Sequence, residues 1–374
     1  MRKILFDATG IVSFTTGLEK YCYYLLKAML SEVDFSFTVL HQCDLPKSHP
    51  LFCLRSEHLE FKSTKMPVLG PGREIGIMRL REFINRHDIF HSTSSYMPAF
   101  GINIPSIVTI HDLKYLLFPV FFKNPVKVIY YTWIIRRGTR QAERIIAISA
   151  STKKDLTDLG VPAEKITVIH ESVTVPAELV HRSSRLPDAI GDNPYLFFVG
   201  DNRPHKNISR IIDSYHVMVK RLGKACPNLV FAGAHFESLS AKYANTEISN
   251  KLIFLGIVAE ETLVSLYKGA IALVYPSLYE GFGLPVLEAM SLGVPVITSN
   301  CSSLPEVAGN AAILVDPRDV NQLTDAMIRV IQCESDREVL KKRGIHRARE
   351  FSWDRAARKT LDLYKDVLSK GQQL

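Results

Sequence analysis

The chain has 374 residues, 47% of them hydrophobic and 22% charged. That balance excludes a disordered or low-complexity protein and exceeds what one core usually serves, so two domains are expected. A formal net charge of +8 points to an anionic partner without choosing among a nucleotide, a membrane surface and a nucleic acid. The six cysteines (Cys22, Cys43, Cys53, Cys226, Cys301 and Cys333) show no Cys-x-x-Cys pairing, which argues against a zinc site or a disulfide framework and for reduced thiols. The N-terminus reaches Asp7 after three apolar residues, too few for a secretory signal, and no stretch has the length of a bilayer span. A cytoplasmic protein is expected.

Short apolar runs then alternate with segments of helical period along the chain, the pattern of βαβ units and parallel sheets. In the first half, strands are expected at 4–7, 36–40, 89–91, 106–110, 144–147 and 166–169, and helices at 18–30, 76–86, 126–141 and 150–159. Ser149 suits the N-cap of the last helix. Between 180 and 194 the segment HRSSRLPDAIGDN loses periodicity and gathers turn-forming residues, so the domain linker is placed there. The second alternation brings strands at 195–199, 228–232, 252–255, 271–275, 296–298 and 313–315. The expected fold is α/β: two doubly wound, Rossmann-like domains (1–185 and 190–350), with a C-terminal helix in 351–374 returning to the N-terminal domain. Ligands of such sheets sit beyond the carboxyl ends of the strands, so the two domains are expected to face a central cleft.

The densest chemical signal is YPSLYEGFGLPVLEAMSLGVPVIT, from Tyr275 to Thr298. A strand ends in a glycine-rich turn and a helix begins near Pro285, which suits a first helical position because its missing amide hydrogen would have had no partner. Gly281 and Gly283, with Phe282 and Leu284 between and beside them, could let a phosphate approach unpaired amides at the helix start. Taken alone, the Gly-x-Gly is also what an ordinary strand-to-helix turn requires. Glu280 and Glu288 flank the turn, and carboxylates accept hydrogen bonds from sugar and ribose hydroxyls. FVGDNRPHKN supplies Arg203 and Lys206, cations of the kind that stabilise a departing diphosphate. Either could equally be a solvated basic side chain. Thr16 and Gly17 open a helix and could face a phosphate or simply form a tight turn. His111 ends a strand, where a structural role is as natural as a functional one; His91 is read as structural. No Asp-x-Asp pair and no His, Cys and carboxylate cluster with ligand spacing occurs, so no metal or other cofactor is expected.

Glu280 to Glu288, with GFGLP between, resembles the Glu-x7-Glu motif of the retaining glycosyltransferases of family 4, whose fold is the two-Rossmann GT-B architecture. The resemblance extends through DATGIVSFTTGLEKY, VTIHDL, RIIAISASTKKDL, FVGDNRPHKN, FLGIV, SSLPEVAGNAAILVDP and FSWDRAA. It implies an acceptor-binding N-terminal domain and a nucleotide-sugar-binding C-terminal domain. It further implies that Lys206 and Arg203 neutralise the donor diphosphate, that Gly17 lies against it, and that Glu280 and His111 hold the donor sugar. Glu288 would bind ribose hydroxyls, and the loop from Gly256 to Val258 would read the nucleobase through its backbone.

The expected reaction moves a hexose, mannose from GDP-mannose being favoured, onto a saccharide or lipid-linked acceptor in surface polysaccharide or O-antigen biosynthesis, with retention and without a metal. Two rivals share the signals: a nucleotide-sugar epimerase of the same fold and a non-catalytic sugar-nucleotide-binding subunit. No compact basic-aromatic motif supports nucleic-acid binding. The segment VKVIYYTWIIRRGTRQAER, with Tyr130, Tyr131, Trp133, Arg136, Arg137, Arg140 and Arg144, fits either an interfacial helix against anionic lipid or a helix packed on the first sheet with a charged outer face.

Overall fold

The structure is a computed structural model and describes residues 1–11, 16–68, 70–98, 100–118, 125–181 and 185–370. The chain divides into two compact units, Met1–Ser172 with Ser352–Leu374, and Val173–Phe351.

The first unit carries β1 (Arg2–Asp7), β2 (Phe35–Gln42), β3 (Leu59–Thr64), β4 (Ile89–Ser92), β5 (Ser106–Ile110), β6 (Arg144–Ala147) and β7 (Ile166–Val168). They form one sheet in the order β3-β2-β1-β4-β5-β6-β7, parallel at every pairing. Side chains alternate across it: Ile4 and Phe6 enter a core on one face, Leu5 a core on the other. The first core is completed by the helices Gly17–Met29 and Trp353–Lys370, the latter contributing Trp353, Leu361 and Tyr364.

β3 escapes the sequence reading because it is an edge strand with Glu60, Lys62 and Ser63 exposed, so it lacks an apolar run. The helix expected at 76–86 is two helices, Pro71–Arg79 and Arg81–Ile84. The first starts earlier because Pro71 supplies the first-turn position that needs no amide hydrogen, and it ends where Leu80 leaves helical geometry (φ −93°, ψ 2°). Ser149 does cap its helix, its Oγ accepting the Thr152 amide at 3.0 Å.

The second unit carries β8 (Tyr195–Val199), β9 (Asn228–Ala232), β10 (Leu252–Phe254), β11 (Ala272–Tyr275), β12 (Val296–Ser299) and β13 (Ile313–Val315), in the order β10-β9-β8-β11-β12-β13. The division between the units falls at Ser172/Val173, ahead of the linker expected at 180–194. Part of that segment packs within the second unit: Lys268 Nζ donates to the Val180 carbonyl at 2.7 Å, and a Cβ on Gly269 would meet Leu186 at 3.4 Å. Loss of periodicity there marks a surface connection of the second unit, not the boundary.

Candidate functional site

Both sheets reverse their winding once, between β1 and β4 in the first and between β8 and β11 in the second. At such a point the connections leave in opposite directions and open a crevice beyond the strand ends, where ligands of doubly wound sheets bind. In the second unit the segments after β8 and β11 carry the residues singled out by chemistry. They are tied together by the Leu278 amide donating to the His205 carbonyl at 2.7 Å and by Asn207 Nδ2 donating to the Pro276 carbonyl at 3.0 Å.

Lys206 and Glu280 meet in this crevice, Nζ to Oε1 at 2.8 Å, with side chains only 15% and 12% exposed. Lys206 also donates to the Tyr275 hydroxyl and lies 5.0 Å from that ring's centre. Burial opposes ionisation of Glu280, yet Lys206 holds its carboxyl below the usual range. The outcome is a charged pair at low exposure, a costly arrangement unless each member keeps its hydrogen bonds. Around it, the Glu280 amide donates to Ser302 Oγ at 3.1 Å, and the hydroxyls of Ser302 and Ser303 donate to the Glu280 carbonyl at 2.7 and 2.9 Å. Arg203 is not brought into this pair: its Nε bonds Asp201 at 2.7 Å and its side chain is 43% exposed.

Glu288 lies in the helix Leu284–Ser291 and accepts from the Tyr267 hydroxyl at 2.9 Å. Pro285 is the second residue of that helix, after Leu284, a shift of one from the sequence expectation. Gly283 has a structural requirement of its own: φ is 119°, and a Cβ would stand 2.8 Å from Leu304. The Phe282 side chain is 3% exposed and meets Phe351 edge-on at 5.6 Å, so only its main chain can serve a ligand. Gly281 is half-buried at the same turn.

The loops after β8, β9 and β10 are laced by backbone. The Gly200 amide donates to Ala232 at 2.9 Å and the Gly233 amide to Gly256 at 2.8 Å. A Cβ on Gly233 would fall 1.7 Å from the Gly200 carbonyl oxygen. Gly256 has φ 70°, and Val258 follows just before the helix Glu260–Gly269. Gly200 and Gly233 were missed as a pair, although a glycine directly after each of two apolar strands, FVG and FAG, was the available signal.

In the first unit Gly17 is the first residue of its helix, and the Thr16 amide donates to Glu19 Oε2 at 2.8 Å. Residues 12–15, the rest of that turn, lie outside the described residues. His111 follows β5 with both ring nitrogens engaged: Nδ1 with Glu171 Oε1 at 2.8 Å and Nε2 with the Thr93 carbonyl at 2.8 Å. Burial disfavours its cation, but the hydrogen bond and charge of Glu171 outweigh that and raise its pKa above 6.5. Glu171 was missed; an acid three residues beyond the last strand of the sheet was its signal. His91 is fully buried between Tyr364 (2.6 Å) and Thr109 (2.9 Å), and burial lowers its pKa to about 3. It is a structural histidine. At this sheet's reversal Asp7 accepts from Thr9 and pairs with the buried Arg73.

Two family models match: "Glycosyltransferase Family 4" over residues 15–175 and "Glycosyl transferases group 1" over residues 184–347. The chain is 30% identical to the O-antigen chain mannosyltransferase B of Escherichia coli, the alignment covering 97% of this chain and 99% of the relative. It is 30% identical to the O-antigen chain mannosyltransferase RfbU of Salmonella typhimurium over 59% of this chain and 62% of that one. Among solved structures it resembles Anabaena HepE in complex with UDP-glucose, with a TM-score of 0.74 and 15% identity over 98% of this chain and 100% of the other. Two parallel sheets with one winding reversal each are the GT-B architecture, and the full-length match leaves neither half unassigned: the chain belongs to the family 4 glycosyltransferases.

Proposed function

We propose that this glycosyltransferase moves mannose from GDP-mannose to a saccharide or lipid-linked acceptor during surface polysaccharide assembly, with retention of anomeric configuration and without a divalent ion. The observation that carries the reading is the Lys206–Glu280 pair at the winding reversal of the second sheet. An ammonium held at low exposure near the start of the helix Leu284–Ser291 is suited to a diphosphate, whose charge grows as the glycosidic bond breaks. Glu280, already ionised, is suited to accept hydrogen bonds from the hydroxyls of the transferred sugar. Glu288 would accept from ribose, sharing its carboxylate with Tyr267. The mannose assignment draws support from the printed activities of the two O-antigen relatives.

In the proposed step the acceptor oxygen bonds to the anomeric carbon as the bond to the diphosphate oxygen breaks. The acceptor's proton passes to that departing oxygen on the same face of the sugar. Lys206 and, nearer solvent, Arg203 would balance the resulting negative charge. If His111 contacts the sugar, its Nε2 hydrogen must leave the Thr93 carbonyl, while Glu171 keeps Nδ1. The main chain of Gly17 and of Gly281 to Leu284 would complete the donor contacts, with Gly256 to Val258 reading the base.

The test is nucleotide release from a panel of GDP- and UDP-sugars in excess EDTA, with NMR of the product. GDP-mannose should be preferred, release should depend on acceptor, and the product should keep the α configuration. Preference for a UDP-sugar, a β product, or activity restored only by added magnesium would overturn the respective part of the reading.

A further inference from the structure

We infer that the outer face of the helix Pro125–Gln141, continued by Phe100 and Met78, is a docking surface for an anionic lipid bilayer. It deepens the proposed function, since a lipid-linked acceptor would be met at such a surface, but it stands on different residues.

Val126, Ile129 and Trp133 are 67%, 70% and 44% exposed, and Arg136, Arg137 and Arg140 are exposed after them. Their spacing of three and four places all six along one stripe of the helix. Ile134 and Ile135, on the other side, are buried in the first unit's core. The helix is therefore packed inward by one set of apolar residues while presenting a second set outward. Packing alone gives no reason for the second set.

The stripe is part of a broader surface. Gly138 lets Met97 approach so closely that a Cβ would stand 2.7 Å from it, which seats the segment around Phe100 against the helix. The Arg137 guanidinium then lies 5.4 Å from the centre of the Phe100 ring, itself 47% exposed. Gly101 in turn abuts the backbone of Met78, which is 50% exposed.

Charge selects the occupant. The helix sequence PVKVIYYTWIIRRGTRQ contains no acidic residue. Beside its C-terminal half, Arg136, Arg140 and Lys165 border a groove of about 200 Å³. An apolar anchor with a tryptophan, followed by arginines and a basic groove, matches the layering of a bilayer surface: acyl boundary, then phosphates. Each basic residue near an anionic leaflet adds to the attraction. A second copy of this chain is a poorer occupant, because the same helix offers no carboxylate with which the arginines of a two-fold partner could pair.

The full-length protein is tested by flotation with vesicles of phosphatidylcholine alone and of phosphatidylcholine with phosphatidylglycerol. Binding should require the anionic lipid and weaken with salt. Ile129→Gln with Trp133→Gln, and separately Arg136→Gln with Arg140→Gln, should each weaken binding at least about tenfold while leaving the thermal unfolding midpoint and nucleotide release with a soluble acceptor unchanged. Independently of any variant, brominated acyl chains should quench Trp133, Trp353 being buried in the first core. Equal binding by parent and variants, indifference to anionic lipid, absence of quenching, or a dimer in sedimentation that the same substitutions disperse would overturn the inference. Vesicle binding and nucleotide release are read separately, so failure of the surface and failure of the proposed reaction are distinguishable.

Discussion

Both ring nitrogens of His111 face groups that only accept hydrogen bonds, a carboxylate and a carbonyl, so the geometry itself calls for the doubly protonated ring. Asp112 adds to this, and the other neighbour, Tyr21, meets the ring edge-on at 4.7 Å without charge. A folded pKa raised above 6.5 means that His111 contributes stability fully below 6.5 and loses it as pH rises through the folded value. His91 acts oppositely: with a folded pKa near 3, it stays neutral and costs stability as pH falls from 6.5 towards 3. Comparing parent with Glu171→Gln in urea unfolding reports chiefly on the pair, since burial is the larger cause of the His91 shift and the charge of His111 the smaller. The stability difference should be largest from about 6.5 down to the carboxylate range and shrink as pH rises; a flat difference would mean that native His111 is neutral. At the other site, Lys206→Ala should lower turnover about a hundredfold, by analogy with loss of one charge-stabilising donor, and should also lower the unfolding midpoint, because Glu280 is left at low exposure without its cation; steady-state kinetics beside thermal unfolding checks both. Lys206 and Glu280 were legible because each sits in a locally distinctive segment. Their mutual bond was not, since 74 positions separate them, nor was Tyr275, whose type and place read simply as strand.

At the scale of elements, what periodicity encodes was legible and what it does not encode was missed. Among the described residues, the twelve strands other than β3 announce themselves by apolar runs, as at 106–110 and 228–232, where expectation and structure coincide. The edge strand β3, with half its side chains in water, does not. The close approach of two loops is likewise invisible, because nothing in FVG or FAG states that the two glycines touch. Gly233 has φ 136° and a Cβ there would lie 1.7 Å from the Gly200 carbonyl, whereas Gly256 has φ 70° and open space around it. Alanine at Gly256 should therefore cost only left-handed backbone strain, about 1–2 kcal/mol. Alanine at Gly233 must also separate the loops after β8 and β9, adding about 1–3 kcal/mol of overpacking. Thermal and chemical denaturation of both variants should rank Gly233→Ala as the more damaging; equal losses would show that the loops part without resistance.

For the whole molecule, the decisive feature is that the first unit is built from both ends of the chain. The chain leaves it after Ser172, forms the second unit as one continuous segment, and returns at Ser352. The returning helix is no surface addition. Tyr364 is fully buried and bonds His91 at 2.6 Å, Trp353 stacks on Tyr24 at 5.8 Å between ring centres, and Arg144 pairs with Asp366 at 2.9 Å. Completing the first core therefore requires contacts between residues hundreds of positions apart, whose closure entropy must be met late in folding. The second unit has no such dependence. A chain ending at Phe351 should then split the behaviour of the two units: in hydrogen exchange, β8 to β13 should keep their protection while β1 and β4, which flank the lost helix's core, exchange quickly. His91, deprived of Tyr364, would leave a buried ring nitrogen without its partner, and large buried apolar area would open to water. Adding a peptide of residues 352–374 should restore protection to β1 and β4. Unchanged protection in the truncated chain would show that the first unit stands without the helix, and loss in β8 to β13 as well would show that the two units do not fold independently.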